Sequence, residues 1–243
     1  ERSEAATIDA LPMNILPSSA LPAASVPPPW PQLLARRVRY LWWLKFLGVC
    51  VFMWLFFIGY FHTLRHPVND IMVMPLTWLD HAVAFAPQAL WVYVSLWLYV
   101  GVAPGLLNSF RDLVLYTMWI GALCLTGLAC FYFWPTAVPR PTIDGSAYPG
   151  FALLQGVDAA GNACPSLHVA TAAFTAIWVE HVLRRVGAPI WLRVFNTVWV
   201  SAIVWSTLAT KQHVAWDVAG GLLLAAVFAA LSLAGRHRTP RPA

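Results

Sequence analysis

The sequence predicts an all-α integral membrane protein: a six-helix bundle with its active site at the outer (periplasmic or luminal) face. Three observations carry this reading. The chain of 243 residues is 60% hydrophobic and only 10% Asp, Glu, Lys and Arg, where a soluble domain averages about 25% charged. Its mean hydropathy is +0.65. Its apolar residues gather into stretches of about 20, the length that crosses the hydrocarbon core of a bilayer. No internal repeat is visible, so one bundle accounts for the whole apolar length.

Taken in order, residues 1–35 are polar and then rich in Pro and Ala, as in ILPSSALPAASVPPPWP. Such a composition cannot build a core and reads as a disordered cytoplasmic tail without the apolar centre of a cleavable signal peptide. Residues 31–40 start a short helix on the membrane surface. The catalytic membrane domain follows at 36–236, with spans at about 41–62, 88–107, 112–134, 166–184, 189–210 and 213–235. Breakers or polar clusters bound them: Pro87, Asn108-Ser109, Pro135, Pro165, Pro189 and Lys211-Gln212. Segment 71–86 is apolar but interrupted by Pro75, Asp80 and His81, and reads as lying on the surface or re-entering. Residues 237–243 form a second cytoplasmic tail.

Basic residues set the orientation. Arg2, Arg36, Arg37, Arg39, Arg111, Arg184, Arg185, Arg193, Arg236, Arg238 and Arg241 fall on one side, against Arg65, Arg140 and Lys211 on the other. Lys45 lies one turn inside the first span and snorkels to the near face. Both termini are therefore expected in the cytoplasm of what reads as a bacterial inner-membrane protein, with the loops at 63–87, 135–165 and 210–212 facing the periplasm. The same placement explains a pI near 9.3 without nucleic acid. Cys50, Cys124, Cys130 and Cys164 form no Cys-x-x-Cys pair and read as small buried thiols; a bond between Cys130 and Cys164 stays open.

Two motifs place polar groups where an apolar helix begins: Cys-Pro-Ser-Leu-His at 164–168 and Lys-Gln-His-Val-Ala-Trp-Asp at 211–217. Polar groups there are expensive and point to function. Ser166 is a natural N-cap, and the amides behind it, Leu167 included, make a phosphate site. His168 stands on the first turn. His213 and Asp217 are spaced i, i+4 on one face, so the carboxylate can hold one imidazole nitrogen and leave the other free to attack. Spans 4 and 6 both run inward, which brings His168 and His213 to one depth. Arg140 and Lys211 flank them as phosphate ligands. The chemistry implied is attack on phosphorus by His213, with His168 as general acid and base and Asp217 as orienting carboxylate. It needs no cofactor and no metal, and no outward carboxylate cluster exists to hold magnesium.

These residues resemble the type-2 phosphatidic acid phosphatase superfamily of membrane lipid phosphatases and phosphotransferases. Its motifs read Lys-x6-Arg-Pro, Pro-Ser-Gly-His and Ser-Arg-x5-His-x3-Asp. Arg140-Pro141 matches the end of the first, Pro165-Ser166-Leu167-His168 the second, and Ser206, His213 and Asp217 the third. Phe133, Leu167 and Thr207 replace the family's Lys, Gly and Arg, and Lys211 stands in for a lost cation. Pro-Ser-Leu-His and Thr-Lys-Gln-His look closest to the inositol phosphorylceramide synthase-like branch. The resemblance implies a nucleophile at His213, an acid and base at His168, an orienting Asp217, and a phospholipid, polyprenyl phosphate or sphingolipid substrate in the bilayer. A phosphatase resolves the phosphohistidine with water and a headgroup transferase with an alcohol; the small loops favour the phosphatase. Two rivals from other classes are weaker. Bis-histidine haem or metal ligation needs histidines deep in the bundle. A transporter needs polar groups through its inner half, where spans 4–6 offer few.

Overall fold

The computed structural model describes residues 28–139 and 162–234. Its elements run α1 (Trp30–Arg39), α2 (Trp42–Arg65), β1 (Met72–Val73), α3 (Trp78–Ala82), a 3-10 turn (Pro87–Ala89), α4 (Leu90–Val94), α5 (Leu96–Tyr99) and α6 (Val102–Leu106). Then come α7 (Phe110–Phe133), β2 (Thr136–Ala137), α8 (Leu167–Arg185), α9 (Ile190–Ala209) and α10 (Ala215–Leu233). The fold is mostly helical, and α2, α7, α9 and α10 are long and apolar enough to cross a membrane.

Two expected spans take a different form. The stretch 88–107 is not one helix but the run α4–α5–α6, interrupted at Ser95 and at Val100-Gly101. Ser95 Oγ donates back to the Val92 carbonyl at 2.6 Å, a bond that loosens a helix. Gly101 and Pro104 then weaken the next turn, because Pro brings no amide hydrogen. The expected span 166–184 is the single helix α8, but His168, Thr175, Glu180 and His181 make it less apolar than its neighbours. It tolerates them because it is the core helix: Val169, Ala170, Ala172, Phe174, Thr175 and Trp178 are completely buried. Helix α1 starts at Trp30 with Pro31 in its first turn, where proline suits a helix, and it coincides with the short helix expected over 31–40.

The helices α8 and α10 pack in parallel and form the most extensive pair, with α9 on the other side of α8. The half of the bundle away from the two histidine motifs holds several polar groups, and they tie helix to helix. Trp178 Nε1 donates to Ser232 Oγ at 3.0 Å. Tyr99 Oη donates to Asn196 Oδ1 at 2.7 Å, and Asn196 Nδ2 donates to the Ala176 carbonyl at 3.1 Å. Glu180 binds Arg193 at 2.7 Å. Hydrogen bonds of this kind are a main adhesive where apolar burial gives no net drive.

One end of the bundle gathers the basic residues. Arg37 donates to Asn108 Oδ1 at 2.8 Å, joining α1 to the start of α7, and Trp30 meets Trp191 edge-on at 6.3 Å. Burial first, and the nearby Arg185 second, lower the Arg37 pKa from its ordinary value, with Asp112 opposing. The starts of α8 and α10, where both motifs lie, form the opposite end.

Candidate active site

Each histidine is positioned by its local chain. Ser166 caps α8 by accepting from the Val169 amide at 3.2 Å. Its own amide donates to the Asp217 carbonyl at 2.9 Å, so the Pro-Ser-Leu-His turn is fastened directly to α10. Thr136 of β2 holds the preceding residues, its Oγ1 accepting from the Cys164 amide at 2.8 Å. The two helices touch at Gly221: a Cβ there would sit 2.5 Å from the Ser166 carbonyl oxygen. Leu167 is buried against Gly127 of α7, where an added Cβ would lie 2.4 Å from Leu167 Cδ2.

His213 is placed by the turn after α9. Lys211 takes a left-handed φ of 55°. The Lys211 amide donates to the Leu208 carbonyl and the Gln212 amide to that of Thr207, both at 3.1 Å. This is a Schellman closure with lysine at the position glycine usually holds. The His213 amide also reaches the Thr207 carbonyl, at 3.2 Å. Thr207 is fully buried and serves here through its backbone.

The side chains then form one file. Tyr93 Oη lies 2.9 Å from His168 Nε2. His168 Nδ1 lies 3.3 Å from His213 Nε2. His213 Nδ1 lies 3.4 Å from Asp217 Oδ2, which also accepts from the Val214 amide at 3.0 Å. A single proton arrangement satisfies every link: Tyr93 donates to His168, His168 Nδ1–H to His213, and His213 Nδ1–H to Asp217. The tautomers are assigned from this network. Asp217 is fully buried, His213 nearly so, and His168 half-buried. Cys164, next to the site, is no rival nucleophile: burial first, then Asp217 and Cys130, push its thiol up to about 11, so it stays protonated at neutral pH. All four cysteines are free.

A sequence model described as the PAP2 superfamily matches residues 113–241, more than half of the chain. The chain belongs to the PAP2 superfamily. Comparison with curated proteins and comparison with solved structures each yield no match. The PAP2 match begins inside α7, so it takes in both histidine motifs and leaves α1–α6 outside.

Of the residues singled out by the sequence, Ser166, Leu167, His168, His213 and Asp217 converge at one end of α8 and α10. Arg140 lies outside the described residues. Lys211 sits in the turn just before His213. Its ammonium donates to the carbonyls of Asp80, at 2.9 Å, and Val83, because the segment around α3 lies across the α9–α10 turn. Among the described residues no group of three His, Cys, Asp or Glu side chains is placed to hold a metal ion.

Three polar residues escaped the sequence reading. Tyr93 orients His168. Asp80 caps two helices at once, its Oδ2 accepting from the Thr77 amide at 2.7 Å and its Oδ1 from the Ala215 amide at 2.8 Å. Asn162 donates to the Tyr60 carbonyl and to Thr63 Oγ1, both at 3.0 Å. Segment 71–86 is thus a clamp over the turn that carries His213, and Asp80 is its fastening.

Proposed function

We propose that this PAP2 protein is a metal-independent membrane lipid phosphatase working through a phosphohistidine on His213. The observation that carries this reading is the facing pair, His168 Nδ1 and His213 Nε2 at 3.3 Å, with Asp217 behind His213. Asp217 accepts from Nδ1, which leaves the Nε2 lone pair to attack. The substrate phosphate enters between the imidazoles and replaces their mutual hydrogen bond. His213 Nε2 then bonds to phosphorus as the bond to the lipid oxygen breaks, and His168, protonated, gives that oxygen its proton from Nδ1. Tyr93 Oη accepts from the Nε2–H of the protonated ring and steadies it. In the second half His168 takes a proton from water, water oxygen bonds to phosphorus, and the His213–phosphorus bond breaks to release phosphate. The α8 N-terminus, with the Leu167 amide, meets the phosphate charge. Arg140 supplies a guanidinium to the same oxygens.

The reading includes six spans, with the α4–α6 run and α8 completing the four long apolar helices. It includes both chain ends in the cytoplasm and the site at the periplasmic face. An alcohol in place of water would make a headgroup phosphotransferase from the same intermediate.

The test is a panel of lipid phosphates, with and without alcohol acceptors, assayed for free phosphate and for new lipid. Wild type is expected to release phosphate, and His213→Ala to lose at least about a thousandfold in kcat, the scale on which catalytic nucleophiles count. Residual activity within tenfold of wild type in His213→Ala would sink the mechanism. EDTA is expected to leave the rate unchanged, and strong inhibition would remove the metal-independent scheme.

A further inference from the structure

Beside the histidine pair opens a cavity of about 350 Å³, within the range of small-molecule sites. His168, His213 and Asn162 line its polar end. Its long wall is α2, from Phe61 back to Gly48 and Lys45. That is about 24 Å of helix at 1.5 Å per residue.

We propose that this cavity seats one linear apolar tail of the phosphorylated substrate, and that its far end at Gly48 and Lys45 sets the tail length accepted. The proposal rests on the phosphate-transfer reading of His168 and His213. Continuity commits the occupant: a tail bonded to a phosphate held by the pair leads from the polar end of the cavity along its apolar wall. The far end, where buried Lys45 and Pro104 line the cavity, presents no charge. The Lys45 ammonium donates to the carbonyls of Arg37, at 2.7 Å, and Gly105, at 2.9 Å, so its methylene stem is left to line the cavity. Gly48 lies there with room beside it, since an added Cβ would meet nothing within 4 Å. A tail moving from bilayer hydrocarbon into protein hydrocarbon gains little from apolarity. Discrimination therefore comes from shape: a tail that fits is aligned with the histidines, and a longer one must bend back into the bilayer. The wall on α2 and the α4–α6 run precede the residues matched by the PAP2 model, whereas the facing wall on α7 and the start of α8 lies within them.

Two measurements test this. The first uses a single-tail alkyl phosphate carrying a diazirine at the tail end, photolysed in the purified protein. Labelling is expected on α2 around Gly48 and to be competed by the unlabelled alkyl phosphate. Labelling spread over the lipid-facing helices, or equal labelling by the matching alkyl alcohol, would overturn the proposal. This readout needs no turnover, so it separates the tail seat from the phosphatase reading, which fails independently if no substrate releases phosphate. The second compares tails of roughly eight and sixteen carbons, chosen against the ~24 Å wall. Gly48→Leu is expected to cut kcat/KM for the long tail about tenfold, the cost of moderate overpacking, and to leave the short tail unchanged. Activity on the short tail reports a folded enzyme. Gly48→Ala, a smaller intrusion, shifts the long-to-short ratio in the same direction. An unchanged ratio in both variants would refute the length limit.

Discussion

Tyr93 shows how much one hydroxyl can decide. His168 has two nitrogens and two neighbours, and Tyr93 Oη at Nε2 directs the mobile proton to Nδ1, the nitrogen that faces His213. Tyr93 touches no reacting atom in the proposed scheme and is a positioning residue. Tyr93→Phe keeps the ring that packs on His168 at 5.0 Å and removes only the hydroxyl. It is expected to lower kcat about tenfold with KM nearly unchanged, the scale of a lost hydrogen bond to a charged group. Steady-state kinetics on a lipid phosphate check this, and an unchanged kcat would remove Tyr93 from the machinery. Ser166, His168, His213 and Asp217 were legible in the sequence because cap spacing and i, i+4 spacing are local facts. Tyr93 was not, because it lies 75 residues from His168 and carries no pattern of its own. Lys211 was legible as a charge but its backbone partners were not. Its partners Asp80 and Val83 are more than 120 residues away, and only the fold brings their carbonyls to it.

At the scale of elements, the site depends on how closely α8 and α10 approach. Gly221 permits the contact, and the Ser166–Asp217 backbone bond registers one helix against the other. Gly221→Ala places a methyl group 2.5 Å from the Ser166 carbonyl, backbone that cannot swing aside. The helices must separate, at a cost of about 1–3 kcal/mol in stability, and the His168–His213 geometry opens with them. Thermal unfolding in detergent and turnover of a lipid phosphate should both fall; a variant with full activity and wild-type stability would show that the contact is not needed. The helices themselves were largely legible, since their boundaries lie at breakers the sequence displays. The run α4–α6 reads as a single helix on apolar length alone, and Ser95, Gly101 and Pro104 mark where the chain breaks it. Segment 71–86 holds only β1 and the short helix α3, and its purpose is hidden in the sequence. Asp80 looked like an interruption, and its value lies in capping α10 through Ala215.

Over the whole molecule, the two ends have opposite characters. Arg36, Arg37, Arg39, Arg184 and Arg185 belong to the end where α1 meets α6 and the start of α7, while both histidines, Asp80 and Asn162 belong to the other. Composition made this polarity legible, because the loops on one side of a membrane protein carry an excess of Lys and Arg. The core helix α8 reconciles the ends: its first turn carries His168, its last carries Arg184 and Arg185, and its neighbours shield the polar groups between. If the basic end is cytoplasmic, phosphate release happens on the far side and the substrate headgroup must be presented there. Single cysteines read this directly. Position 66 follows α2 at the site end, position 39 ends α1 at the basic end, and both are exposed. His66→Cys is expected to react with a membrane-impermeant maleimide in intact spheroplasts, and Arg39→Cys only after permeabilisation. Wild type, whose cysteines lie within or beside apolar helices, gives the background. The reverse pattern would place the histidine pair in the cytoplasm and turn the whole bundle over.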